Sequence, residues 1–161
     1  MRLFTIETVQ WFPQTPETLF PFFSDAANLE QLTPPWLHFR ILSQRVEMRE
    51  GAQIEYGLRL HGIPLVWQSE IAAWEPPFRF VDSQIRGPYR TWIHEHSFEF
   101  RDNGTLMRDY VQYGVIGGSL IQRFLVAPDL AKIFDYRKSR LASIFGSPQR
   151  RTIELNLLNQ L

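Results

Sequence analysis

Two histidines one residue apart, His94 and His96, are the side chains of this sequence best placed to do chemistry. They lie in Trp92-Ile93-His94-Glu95-His96-Ser97-Phe98-Glu99-Phe100, and residues 91–101 alternate in a way that predicts a β-strand. Trp92, His94, His96, Phe98 and Phe100 then share one face, while Ile93, Glu95, Ser97 and Glu99 share the other, mostly polar one. An aromatic face with two imidazoles set into it suits the wall of a cavity better than an ordinary core, where every buried polar atom needs a partner. His-x-His spacing also occurs in metal sites, with Asp109 on the next strand as a third donor. Two histidines are fewer ligands than a site needs, so the expectation is neither metal nor cofactor. As acid and base, the same residues would move a proton on a cyclic substrate, with Asp109 orienting a histidine and Tyr113 as a further donor. The structural alternative is that the imidazoles bond to backbone or tyrosine partners within the sheet.

The return strand decides which residues join that face. Asn103-Gly104 predicts a two-residue turn that pairs Asp102 with Thr105 and brings Met107, Asp109, Val111, Tyr113 and Val115 to the histidine side. A three-residue loop with a bulge would bring Leu106, Arg108, Tyr110 and Gln112 there instead. The first arrangement has the more apolar inner set and is preferred.

The rest of the chain must position this hairpin. Residues 2–11 alternate as a strand, and Thr15-Pro16-Glu17 predicts a helix start with the Thr15 hydroxyl as cap. Ser24-Asp25 caps a second short helix that Thr33-Pro34-Pro35 stops. Strands are predicted over 39–45, 52–60, 65–74, 78–86, 91–101 and 105–115, separated by turn residues. Leu130, Ile133, Phe134, Leu141 and Ile144 repeat at helical spacing between Pro128 and Gly146, after a shorter helical piece over 119–126 that Pro128 kinks or breaks. Arg137 falls in that apolar stripe and therefore points at the sheet. On 78–86, Asp82 shares a face with Phe78 and Phe80 and points inward with them. An inward acid and an inward base are expected to pair with each other, because a lone buried charge costs several kcal/mol or so; the alternative is an Arg137 that anchors a ligand's carboxylate or phenolate. Tyr56, Trp67, Trp92 and Tyr113 complete an apolar wall with polar tips, able to stack a flat ligand together with Asp82, His94, His96, Phe98 and Arg137.

Composition sets limits. Seventeen basic residues balance seventeen acidic ones, so no overall field draws nucleic acid. There are no cysteines, which excludes disulfides and thiolate zinc sites. Residues 1–10 lack the apolar run of a signal peptide and no segment reaches the length of a membrane span, so a cytoplasmic protein without stable membrane insertion is expected. One domain over 1–146 is expected, followed by a tail, 147–161, that could dock on the domain or pair a second copy into a homodimer.

The order strand, two short helices, six strands, long helix resembles the helix-grip fold of the START-related SRPBCC superfamily (cyclase/dehydrase and pollen-allergen-like proteins). Phe22-Phe23-Ser24-Asp25-Ala26, Leu32-Thr33-Pro34-Pro35-Trp36, Gly87-Pro88-Tyr89, Trp92-x-His94-x-His96-x-Phe98, Gly104-Thr105-x-Met107-x-Asp109 and Ile133-Phe134-x-Tyr136-Arg137 resemble a bacterial ligand-binding subgroup of it, one that also occurs fused to sugar-nucleotide-epimerase-like domains. The resemblance implies an α+β fold in which a curved antiparallel sheet of about seven strands grips the last helix around a cavity. It also implies a small hydrophobic partner, lipid-like or polyketide-like, either carried or transformed by cyclase/dehydrase-type chemistry, with a protein-interaction module as the other outcome. The residues favour a carrier over an enzyme.

Overall fold

A computed structural model describes residues 2–146 and 153–154. Strand β1 (Leu3–Phe12) leads into helix α1 (Pro16–Phe23), then a 3-10 turn (Ala26–Asn28) continuous with the short helix α2 (Leu29–Leu32). A second 3-10 turn (Pro35–Leu37) precedes β2 (Arg40–Ile41), β3 (Gln53–Leu60), β4 (Ile63–Glu75), β5 (Arg79–Arg86), β6 (Thr91–Arg101) and β7 (Gly104–Gly114). Helix α3 (Gly118–Ile121), one π-helical stretch (Gln122–Val126) and α4 (Ala127–Phe145) run on continuously, and a two-residue strand, β8 (Ile153–Glu154), pairs with β1. All neighbouring strands are antiparallel, in the order β2-β3-β4-β5-β6-β7-β1-β8. No helix among the described residues is long and apolar enough to cross a membrane.

Several local expectations change. The strand predicted over 39–45 shrinks to Arg40–Ile41. Asp25 does cap the turn that follows it, accepting from the Ala27 N–H at 2.9 Å, but the Thr15 hydroxyl lies 3.3 Å from that of Thr18 and caps no backbone amide. The helical run continues unbroken through Pro128. Pro128 sits in the first turn of α4, and the π-helical stretch just before it takes up the missing amide and the bulk of the ring. Gly146 ends α4 in the left-handed conformation, its N–H bonded to the Ala142 carbonyl at 2.8 Å. Of the tail expectations, all that concerns 147–152 and 155–161 lies outside the described residues.

The hairpin keeps the predicted faces with a different turn. Arg101 pairs with Gly104, so the turn residues are Asp102 and Asn103, with φ of 53° and 59°. Positive φ at both central positions is the type I′ pattern, which Asp and Asn tolerate. Gly104 stays in the strand for another reason: a Cβ there would lie 2.2 Å from the Phe12 carbonyl oxygen and 2.6 Å from the Trp11 ring. Pairing therefore moves by two residues, an even shift that leaves Met107, Asp109, Val111 and Tyr113 on the histidine face.

Two aromatic clusters fill the space between sheet and helix. One gathers Phe12, Leu19, Phe20, Phe23, Phe98 and Leu141 beneath α1 and the end of α4. The other gathers Phe4, Trp67, Trp92, Tyr113, Leu130 and Phe134 beneath its beginning. Because the Gly104 contact is to backbone, Gly104→Ala is expected to lower stability by about 1–3 kcal/mol, and a denaturant melt with an unchanged slope would show it.

Candidate functional site

Between the two clusters lies a cavity of about 190 Å³. A single water needs only about 10–15 Å³, so the space is that of a small organic molecule. Its wall is mostly apolar, with Leu58, Trp67 and Trp92 from the sheet and Leu130 and Phe134 from α4. Among its polar groups are Asp82, His94, His96 and Arg137, from β5, β6 and α4.

Three of these, His94, His96 and Arg137, converge on Asp109, which stands on β7 directly opposite His96. The Arg137 Nε donates to Asp109 Oδ2 at 2.9 Å. Asp109 Oδ1 lies 3.3 Å from His94 Nε2, in a hydrogen bond, and 2.6 Å from His96 Nδ1, without the alignment of one. The opposite nitrogens turn toward Asp82: His96 Nε2 is 3.3 Å and His94 Nδ1 3.6 Å from Asp82 Oδ2. The two imidazole centroids are 3.8 Å apart, and His96 stacks on Phe80 at 4.2 Å. Asp109 and His96 are each only 3% exposed, His94 8% and Arg137 9%.

Burial sets the electrostatics of this group. Desolvation pushes the Asp109 carboxyl up, but the Arg137 guanidinium and then His96 outweigh it and hold the group well below the usual carboxylate range. Desolvation also opposes the charge on His96, and here the close Asp109 carboxylate, with a hydrogen bond to Asp82, prevails and raises its pKa. His94 goes the other way, lowered first by burial and then by its neighbour His96. The paired histidines thus shift in opposite directions, His96 up and His94 down. In the apolar wall, Ser69 accepts from Trp67 Nε1 at 3.1 Å and shares a hydrogen bond with the Tyr56 hydroxyl at 3.2 Å. Burial, then the Asp82 charge, raises the Tyr56 phenol.

The sequence-predicted residues divide into three sets. Tyr56, Trp67, Asp82, Trp92, His94, His96 and Arg137 line the cavity. Asp109 stands behind them. Phe98 and Tyr113 belong to the two core clusters instead, Phe98 under Phe20 and Phe23, and Tyr113 with its hydroxyl held by buried Gln122 at 3.3 Å. The expected Asp82–Arg137 pair is corrected to Asp109–Arg137, because β7 places its carboxylate within reach of α4 while Asp82 is taken up by the imidazoles. Sequence reasoning missed Ser69 and Phe134 as wall residues. Ser69 was visible as a lone hydroxyl on the Trp67 face, and Phe134 as part of the helix stripe. The loop at Thr33 and Leu37 also reaches the cavity, while Trp36 stays 53% exposed against Tyr136.

No family model and no curated protein matches the sequence. Solved structures do. Protein Ms6760 from Mycobacterium smegmatis superposes with a TM-score of 0.65 at 14% identity, over 89% of this chain and 91% of that one. The chain has the helix-grip fold. An HSP90 activator from Plasmodium falciparum shares it at a TM-score of 0.62 and 16% identity, over 91% of this chain and 99% of its own. So does part of a nucleoside-diphosphate sugar epimerase from Corynebacterium glutamicum, at a TM-score of 0.62 and 21% identity, where the match covers 85% of this chain and 28% of that one. At such identities the likeness shows the fold; within a helix grip, the sheet supplies Asp82, His94, His96 and Asp109 while the gripped helix supplies Arg137.

Replacing Asp109 by Asn leaves the Arg137 charge buried without its partner, and the expected loss at neutral pH is about 3–5 kcal/mol. A carboxylate depressed in the folded state contributes stability above its unfolded pKa of about 3.9 and loses it as pH falls through the folded value. The difference between parent and Asp109→Asn in urea melts should therefore be largest near neutrality and shrink only in acid. A difference independent of pH would contradict the ionised Asp109.

Proposed function

We propose that residues 1–146 form a carrier for a small, largely apolar molecule, aromatic or lipid-like, held between sheet and C-terminal helix. The observation that carries this reading is the cavity itself, of about 190 Å³, apolar on most of its wall with a few polar groups set into it. A helix-grip interior closed by packing would instead favour a protein-interaction module. The apolar wall supplies affinity by burial, and Trp67, Trp92 and Tyr56 supply flat surfaces. Asp82 and the imidazoles fix orientation through one polar group of the ligand.

Cyclase/dehydrase-type proton transfer is the second reading, and one observation favours it. His94 Nδ1 faces the cavity side near Asp82 at 3.6 Å, beyond hydrogen-bond length, while its Nε2 is held by Asp109. An imidazole held at one nitrogen and free at the other can exchange a proton with a substrate. In that case His94→Gln abolishes turnover and leaves affinity largely unchanged.

Native mass spectrometry of the protein from its own host should reveal a bound small molecule. A neutral apolar dye should bind with one-to-one stoichiometry and quench tryptophan emission. Leu58→Trp fills the cavity and is expected to weaken dye binding by about tenfold or more, about 1.4 kcal/mol, without loss of the folded state. Equal dye affinity in the parent and in Leu58→Trp would sink the carrier reading.

A further inference from the structure

Asp82, His94 and His96 bring one carboxylate oxygen and two imidazole nitrogens to the same point of the cavity wall, all within 4.8 Å of one another. Ligands of a tetrahedral ion bound at ~2.1 Å stand about 3.4 Å apart. The Asp82 Oδ2 distances to His96 Nε2 and His94 Nδ1, 3.3 and 3.6 Å, bracket that value. The nitrogens on the far side of both rings face one oxygen of Asp109, at 3.3 and 2.6 Å, and Arg137 holds its other oxygen at 2.9 Å. This is the outer layer that metal-binding histidines use: a carboxylate behind the ring fixes which nitrogen is left for the ion. All three donors line the cavity, so a fourth position opens into it.

We propose that Asp82, His94 and His96 bind one divalent transition-metal ion of the zinc or iron(II) class, with an open coordination position facing the cavity. Two imidazoles and a carboxylate select such ions over calcium or magnesium, which prefer all-oxygen sites. Asp109, held by Arg137, is a positioning residue: it hydrogen-bonds His94 Nε2 and sets its charge beside His96 Nδ1. In the predicted sequence arrangement the third donor was Asp109; the structure gives that place to Asp82 and moves Asp109 behind the rings.

The test uses chelator-treated full chain and no organic ligand. Titrated with Zn²⁺, the parent is expected to take up one ion per chain by native mass spectrometry and calorimetry, and Co²⁺ is expected to give the visible absorption of a low-coordinate site. Asp82→Ala and His94→Ala should abolish that binding, and Asp109→Asn should weaken it by about 10–100-fold. His61→Ala, altering an exposed histidine paired with Asp129, should leave it unchanged. If His94→Ala does not fold, Asp82→Ala decides, since that side chain is partly exposed and belongs to no core cluster. Absence of a one-to-one Zn²⁺ complex in the parent, or parent-like binding by folded Asp82→Ala, overturns the proposal. Dye binding that survives while Zn²⁺ binding fails removes the metal and keeps the carrier; the converse removes the carrier alone.

Discussion

The ion pair between Asp109 and Arg137 is the interaction on which the site depends. A carboxylate only 3% exposed could not stay ionised among aromatic rings by itself. With the guanidinium at 2.9 Å and two imidazoles on its other oxygen, it remains charged and fixes the rotation of α4 about its axis. Two amide side chains from β1 and the turn after it hold the helix as well: Gln10 donates to the Lys138 carbonyl and Gln14 to that of Phe145. Replacing a buried ion pair by well-packed apolar residues is often neutral or favourable. What the pair contributes is a defined position for the helix, and with it a polar wall inside an apolar interior.

That position explains why the interior is hollow in the middle and solid at the ends. Phe98 and Tyr113 lie on the same sheet face as His94 and His96, yet neither reaches the cavity. At one end α1 presses Phe20 and Phe23 onto Phe98, with ring centroids 5.5 and 5.1 Å away. At the other, Gln122 of the π-helical stretch covers the Tyr113 hydroxyl. Between them the helix sets Phe134 against His94, and Arg137 is drawn toward Asp109.

Period-two alternation made the faces legible in the sequence, since each strand residue has only two directions to point. It could not say how far along a face a residue lies under its cover, and this is why Phe98 and Tyr113 resembled Trp92 and His94. The hairpin shows the same division. An even change of two residues preserved every side while altering every partner, because Gly104 is required for close approach to Phe12 and not for the turn. Likewise Arg137 was readable as inward from the helix repeat, but its partner was not. The choice between Asp82 and Asp109 depends on which strand passes beneath that turn of α4, a tertiary fact absent from local spacing. The strand expected over 39–45 shortens for a simpler reason: only Arg40 and Ile41 stand in ladder register with β3, while the Leu42 and Ser43 N–H groups both turn onto the single Glu55 carbonyl.

Charge distribution follows from the same pairing. An Arg137 matched with Asp82 would have left Asp109 to the histidines and a neutral, evenly shared wall. Matched with Asp109, it cancels the most buried acid and leaves Asp82, the least buried of these groups, beside two imidazoles at the cavity surface. The Arg137 charge is then already satisfied, so it gives little extra attraction to a ligand's carboxylate or phenolate. Asp82 is an acceptor with one oxygen engaged by His96. A hydroxyl, an ammonium or a metal ion gains more at such a wall than an anion, because each brings the positive end that the carboxylate lacks. Which of two aspartates the helix arginine reaches thus decides which carboxylate is left at the cavity wall.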